Sequence, residues 1–270
     1  MQPGSDTSAV ALPVFYELAA PKGWRSIDFI SDMHLSAALP HTVEAWAQHL
    51  RNTPADAVFM LGDVFEVWVG DDARQLPFER HCVDVMAEAA SRRTLAVMVG
   101  NRDFLLGAQM LRACGAMALP DPTLLTAWGR PVLLTHGDAL CLEDTAYQSF
   151  RREVRSDHWQ QDFLARPLAE RLAIAADIRR QSQQRHSFDG RVDADIDAGT
   201  AVAWLHALGA SEMVHGHTHR PGSQDLAPGF KRHVLSDWDL DDAERPRAQV
   251  LRLSRDGFVR LQPTGATGPA

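Results

Sequence analysis

Long apolar runs are missing from this 270-residue chain. No window approaches the ~20 apolar residues that a membrane-spanning helix needs. The first 25 residues are interrupted by Pro3, Asp6, Pro13, Glu17 and Pro21, which leaves no apolar core of the kind a signal peptide carries. Any association with a membrane is therefore expected to be peripheral. Cysteine is scarce: Cys82, Cys114 and Cys141 are odd in number, with neither Cys-x-x-Cys spacing nor a disulfide framework. That pattern excludes a disulfide-stapled scaffold and fits reduced thiols in the cytosol. Excess positive charge is also absent. The net charge is −8 and the pI near 5.8, which argues against a general nucleic-acid partner.

What is present is a 45% hydrophobic chain, long enough for one α/β domain with an insertion. Short apolar runs at 27–30, 57–61, 95–99, 132–134 and 213–214 have the length of buried strands. Helical patterns follow at 42–51, 79–92 and 104–114, the last closed by Gly115, and at 200–208, closed by Gly209. Residues 250–253 and 258–261 alternate apolar and polar around Asp256-Gly257, the signature of a β-hairpin. Strand–helix alternation of this kind predicts a doubly wound sheet. The core is expected at 25–142 and 197–262, with flexible ends at 1–24 and 263–270.

Residues 143–196 break the alternation. Leu164, Leu168, Leu172 and Ala176 recur at helical spacing, and no strand pattern occurs. This stretch is expected to be a helical cap over a site at the strand ends, where α/β sites lie. Between Phe163 and His186 five arginines (166, 171, 179, 180 and 185) face Glu170 and Asp177, a local charge of +3 on an acidic chain. Such a face suits an anionic substrate or lipid surface.

Each strand is followed by groups that bind metals. Asp32-Met33-His34 follows the first, Gly62-Asp63 the second and Gly100-Asn101-Arg102-Asp103 the third. His136-Gly137-Asp138 follows the fourth and His215-Gly216-His217-Thr218-His219 the fifth. The C-terminal ends of such strands converge on one edge. Two divalent ions ~3.5–4 Å apart need a shared ligand and about three more each. Asp63 is the natural bridge, with Asp32, His34 and His219 for one ion and Asn101, His136 and His217 for the other. His215 falls outside this set. Carboxylate, amide oxygen and imidazole together suit Mn²⁺, Fe²⁺, Zn²⁺ or Co²⁺ and not a thiolate site. Such a pair activates a water for in-line attack on phosphorus, and Arg102 is placed to neutralise the phosphoryl oxygens.

These motifs, in this order, resemble the calcineurin-like metallophosphoesterase superfamily. The resemblance implies an α/β fold of four layers, αββα, in place of one doubly wound sheet, with the helical cap as an insertion. The match narrows at Ser31–Leu35, at Leu61–Asp72 (Leu-Gly-Asp-Val-Phe-Glu-Val-Trp-Val-Gly-Asp-Asp), at Gly100–Gly107, at His136–Cys141, along Asp144–Arg151 and at His215–Pro221. There the chain is similar to the UDP-2,3-diacylglucosamine diphosphatases of lipid A synthesis, over about residues 26–262. Many superfamily members have a histidine after the metal-binding asparagine; here, as in those diphosphatases, the residue is Arg102.

That resemblance implies water addition at the α-phosphorus of UDP-2,3-diacylglucosamine, an acylated UDP-sugar, giving UMP and 2,3-diacylglucosamine 1-phosphate. It also implies two Mn²⁺ ions and a cytoplasmic enzyme docked peripherally on the inner face of the inner membrane. Asp63, Asn101 and Arg102 would be catalytic. Asn101, Arg102, Asp144, Ser182, His186 and His217 would contact substrate. The chain departs from the family at His186 and Asp189, where an asparagine and a lysine are usual; Arg185 would restore the positive charge. A related nucleotide or dinucleotide pyrophosphatase with a soluble substrate is the alternative. A binding scaffold without activity would have no use for all seven ligands.

Overall fold

The structure is a computed structural model. It describes residues 12–180 and 194–265 in full and residues 181–189 as helix backbone alone. In chain order the strands are β1 (Tyr16–Ala19), β2 (Ser26–Ile30), β3 (Ala57–Leu61), β4 (Thr94–Met98), β5 (Met117–Ala118), β6 (Thr123–Ala127) and β7 (Arg130–Leu134), then β8 (Glu212–His215), β9 (Gly222–Ala227), β10 (Phe230–Val234), β11 (Val250–Ser254) and β12 (Gly257–Leu261). The helices are α1 (Pro40–Asn52), α2 (Pro77–Ala90), α3 (Ala108–Cys114), α4 (Thr145–Val154), α5 (Asp157–Leu164), α6 (Leu168–Asp189) and α7 (Ala198–Ala207).

The strands form two six-stranded sheets, ordered β12-β11-β2-β3-β4-β5 and β1-β6-β7-β8-β10-β9. In the first, β2 to β5 run parallel and the β11–β12 hairpin adds antiparallel. In the second, β7, β8 and β10 are parallel neighbours. The apolar runs explain the layering. Side chains alternate across a strand, so β3 turns Ala57, Phe59 and Leu61 to the core between the sheets and Val58 and Met60 to the core under α1 and α2. Leu133 and Met213 of the other sheet pack on Ala201, Trp204 and Leu205 of α7. Three buried cores separate four layers. Strands apolar on both faces are covered on both faces, and the single doubly wound sheet is replaced by the sandwich.

The N-terminal end is not all loose. Tyr16–Ala19 add a parallel strand beside β6, which overturns a flexible end through residue 24. β5, β6, β9 and β10 also went unread, because short half-exposed strands carry little periodic signal. Two helix stops agree with the sequence: Gly115 and Gly209 both adopt left-handed φ, +68° and +60°. The expected 104–114 helix starts later, at Ala108.

Helices α4, α5 and α6 fill the interval expected for the cap. Leu164 does not share a helix with Leu168, Leu172 and Ala176, since Pro167 lies between α5 and α6 and cannot continue a helix. The +3 stretch is not one open basic face. Arg171 is 3% exposed and bonds the Val69 carbonyl and Asp72. Arg166 pairs with Glu170, Arg180 with Asp177 and Arg179 with Glu66. Arg185 lies outside the described side chains. The cap is pinned further at Phe104, whose ring lies 6.0 Å from that of Trp159 and 5.5 Å under the Arg155 guanidinium.

A buried charge network holds the first sheet to α1. Asp28 is fully buried in β2 and accepts from Thr53 Oγ1 (2.5 Å) and from Arg252 Nε and Nη2 (2.6 and 2.8 Å). Burial alone would raise its pKa, but Arg252, His49 and Thr53 hold the carboxyl at about 2. The group lies below its unfolded value, so its contribution is complete above about pH 4 and is lost as pH falls toward 2. A displacement of that size is worth about 2 kcal/mol. Asp28→Asn should lower unfolding free energy by about 2–4 kcal/mol near pH 7, because Arg252 loses its partner. Urea titration of the two proteins measures it; a change below about 0.5 kcal/mol would mean that the pair contributes nothing.

Candidate metal centre

The parallel pairing of β2 with β3 continues past the strands. Asp32 N donates to Gly62 O (3.1 Å), His34 N to Asp63 O (3.0 Å) and Leu35 N to Val64 O (2.9 Å). The two loops therefore leave the sheet side by side, bringing Asp32, His34 and Asp63 together. The backbone is unusual there. Asp32, His34, Asp63, His217 and His219 all have positive φ, between +46° and +66°. Left-handed conformations cost a non-glycine residue about 1–2 kcal/mol each. Five of seven candidate ligands carry this cost, the pattern of strain concentrated at a functional site. Glycine next to the ligands has a steric reason. A Cβ on Gly100 would stand 2.1 Å from Asp63 Oδ1, and one on Gly62 would stand 2.3 Å from His136 Nδ1.

All seven side chains converge. His34 Nε2 lies 3.4 Å from His219 Nε2 and 3.9 Å from Asp63 Oδ2, and His219 Nε2 lies 3.5 Å from Asp32 Oδ1. On the other side Asn101 Oδ1 lies 3.0 Å from His136 Nε2 and 2.9 Å from His217 Nδ1, and His136 Nε2 lies 3.8 Å from Asp63 Oδ2. Ligand atoms ~2.0–2.2 Å from one ion stand about 3–3.5 Å from one another. The spacing fits two neighbouring ions with Asp63 Oδ2 between them. Asp32 also comes within reach of Asp63 and His136.

The donor chemistry fits cations. His136 Nδ1 is 2.9 Å from the Leu61 carbonyl, which can only accept. Neutral His136 therefore presents a lone pair on Nε2 to the Asn101 oxygen, and two acceptors face each other unless a cation or proton lies between them. Burial would lower the His136 pKa, but Asp63, Asp32 and Asp138 push it up to about 9. Burial likewise opposes charge on His34 and His219, and the neighbouring carboxylates win, raising both. Asp32, despite burial, is held well below the carboxylate range by His219, His136 and His34. His215 is a different case. It is buried, its Nδ1 meets the Gly216 carbonyl at 2.8 Å, and burial pulls it down to about 4. It stays neutral beneath the loop, outside the cluster.

Arg102 donates its backbone N–H to Asp63 Oδ1 (2.8 Å) and reaches its guanidinium to within 3.8 Å of Glu66. Asp144 caps α4, accepting from Tyr147 N at 2.9 Å. Tyr147 in turn sets its ring 5.9 Å from that of His217. The side chains of Ser182, Arg185, His186 and Asp189 lie outside the described residues.

Two supporting carboxylates went unread. Asp103, fully buried, accepts from Gly100 N (2.7 Å) and Val64 N (2.8 Å), tying the Asp63 loop to the Asn101 loop. Burial and the charge of Asp63 raise its pKa to about 6. Asp138, also buried, accepts from Tyr147 Oη (2.6 Å) and Arg151 Nε (2.8 Å), while Arg155 bonds Gly100 O at 2.8 Å. Both lie within the motifs, at Gly-Asn-Arg-Asp and His-Gly-Asp, so their position was the available signal.

The family model for calcineurin-like phosphoesterases matches residues 25–221. The chain belongs to the calcineurin-like phosphoesterase family. This phosphoesterase is 42% identical to the UDP-2,3-diacylglucosamine hydrolase of Ralstonia nicotianae, over 88% of this chain and 92% of that one. It is 41% identical to the enzyme so named in Bordetella pertussis (84% and 91% covered) and 42% identical to that of Chromobacterium violaceum (89% and 99%). Family membership makes this phosphoesterase a hydrolase that works with divalent metal ions.

Proposed function

We propose that this phosphoesterase hydrolyses the pyrophosphate bond of UDP-2,3-diacylglucosamine, with water entering at the α-phosphorus and 2,3-diacylglucosamine 1-phosphate leaving from UMP. The observation that carries the reading is the 42% identity to curated hydrolases of that name over about nine-tenths of both chains. The donor set agrees with it. Asp32, His34, Asp63 and His219 would hold one ion, and Asp63, Asn101, His136 and His217 the other. Their oxygen and imidazole donors suit Mn²⁺. Bound ions would supply Lewis acidity at the phosphoryl oxygens and a more acidic water.

The remaining roles belong to the chain itself. Arg102 would meet charge that builds on the phosphoryl oxygens. Asn101 and His217 would orient the phosphate, and Asp144, Ser182 and His186 the glucosamine. Phe150, Leu164 and Ile178 of the cap helices leave large apolar side chains exposed, which suits acyl chains better than a soluble nucleotide. No described helix is long and apolar enough to cross a membrane. Peripheral contact with the inner face of the cytoplasmic membrane therefore rests on these apolar cap residues more than on the paired arginines.

UMP release from UDP-2,3-diacylglucosamine, measured after chelation and again with Mn²⁺ restored, tests the reading. Release that stops on chelation and returns with Mn²⁺ is expected. Metal-dependent cleavage of a generic phosphodiester without UMP release would favour a soluble substrate instead.

A further inference from the structure

Glu66 follows β3 in the loop that carries Asp63, and its backbone N–H bonds the Leu35 carbonyl at 3.2 Å, beside His34. Its side chain is only 14% exposed and divides its oxygens among three neighbours. Oε2 stands 3.3 Å from His34 Nδ1, the ring nitrogen opposite the one that faces the ion site. Oε1 stands 2.9 Å from Arg179 Nε of α6 and 3.8 Å from Arg102 Nη1. A second link joins the same loop to the same helix six residues on, where Arg171 bonds Val69 O and Asp72.

We propose that Glu66 is a positioning residue that sets the His34 imidazole for one ion with its first oxygen and seats the cap through Arg179 with its second. The inference rests on the seven side chains forming a two-ion centre, and not on the identity of the substrate. Each half has a physical reason. A carboxylate at Nδ1 keeps the proton there, leaving the Nε2 lone pair aimed at the ion, and makes the imidazole a stronger donor. On the other side, Arg179 ties a helix built on the distant 168–189 segment to a loop whose backbone is pinned to the His34 loop. The Arg171 link alone would hold α6 at Asp72 but leave the turn that carries Arg179 free to tilt. Arg102 shares the same oxygen, so the guanidinium proposed to meet the phosphate is also held in place.

The test uses Mn²⁺ alone as ligand, on the full chain. Glu66→Ala should bind the weaker of two Mn²⁺ ions about 10- to 100-fold less tightly, the range for loss of a partner behind a metal-bound histidine. Calorimetry or metal content after dialysis reads this. Hydrogen exchange over 168–180 should rise in the metal-loaded protein. Glu66→Gln separates the halves, because its carbonyl can still accept from His34 while the ion pair with Arg179 is gone. It should keep Mn²⁺ affinity within a few-fold of the wild-type protein and still show faster exchange in α6. Glu66→Ala with two Mn²⁺ bound at wild-type affinity, or with α6 exchange unchanged, would overturn the proposal. Fewer than one ion on the wild-type chain would instead overturn the metal centre on which it stands, whatever the variants do.

Discussion

Asp63→Ala should lower turnover by ~10³-fold or more and take bound metal from two ions to one or fewer per chain. Asp63 Oδ2 reaches both ends of the cluster, 3.9 Å from His34 Nε2 and 3.8 Å from His136 Nε2. A bridge fixes the spacing of the two ions and balances part of their charge. Loss of one preorganised electrostatic group at an active site already costs ~10²–10³ in rate, and here two sites are damaged together. The second oxygen receives Arg102 N at 2.8 Å, so the Asn101 loop would also lose an anchor. Backbone strain has to be separated from ligand loss, since Asp63 sits at φ +51° and alanine accepts that region less readily than aspartate or asparagine. Asp63→Asn keeps the size and tolerates the backbone while removing the charge. It should lose most of the activity too. Turnover within tenfold of wild type in Asp63→Asn, with two ions bound, would refute the bridging role.

Arg102→Ala should behave in the opposite way toward metal. Its guanidinium lies toward Glu66, and its backbone N–H, which alanine retains, is what supports Asp63. Metal content should stay at two ions, with kcat down about 10²- to 10³-fold, the scale for a group that meets charge built in the transition state. KM should move much less than kcat, because the extra negative charge exists only while phosphorus is being attacked. Arg102→Lys should recover part of the loss, keeping the charge without the planar fork. Loss of an ion in Arg102→Ala would make the residue structural.

Much of the centre was readable because its requirements are local. A hard or borderline ligand two or three residues past a buried strand, with a glycine where the backbone must approach closely, leaves a mark at each of five places. Gly62 and Gly100 show the reason, since a Cβ at either would collide with His136 or Asp63. The left-handed φ values at five ligands could not be read, because aspartate and histidine enter that region only under tertiary constraint. The supporting carboxylates were hidden for a related reason. Glu66, Asp103 and Asp138 are ordinary acidic residues in sequence, and their roles depend on partners brought in from other segments: His34 and Arg179 for Glu66, Val64 for Asp103, and Tyr147 and Arg151 of α4 for Asp138.

Strand–helix alternation, the residue types at the strand ends and the helix stops at Gly115 and Gly209 are legible in the amino-acid sequence. Each follows from side-chain periodicity, metal-ligand chemistry or backbone freedom within a few residues. Only the tertiary structure shows that Tyr16–Ala19 join β6 across more than 100 residues, that two sheets share one core, and that four of the five arginines between Phe163 and His186 are spent on specific partners. Those outcomes turn on which distant surfaces exclude water from each other. That free energy belongs to the packed chain and leaves no periodic trace in any short segment.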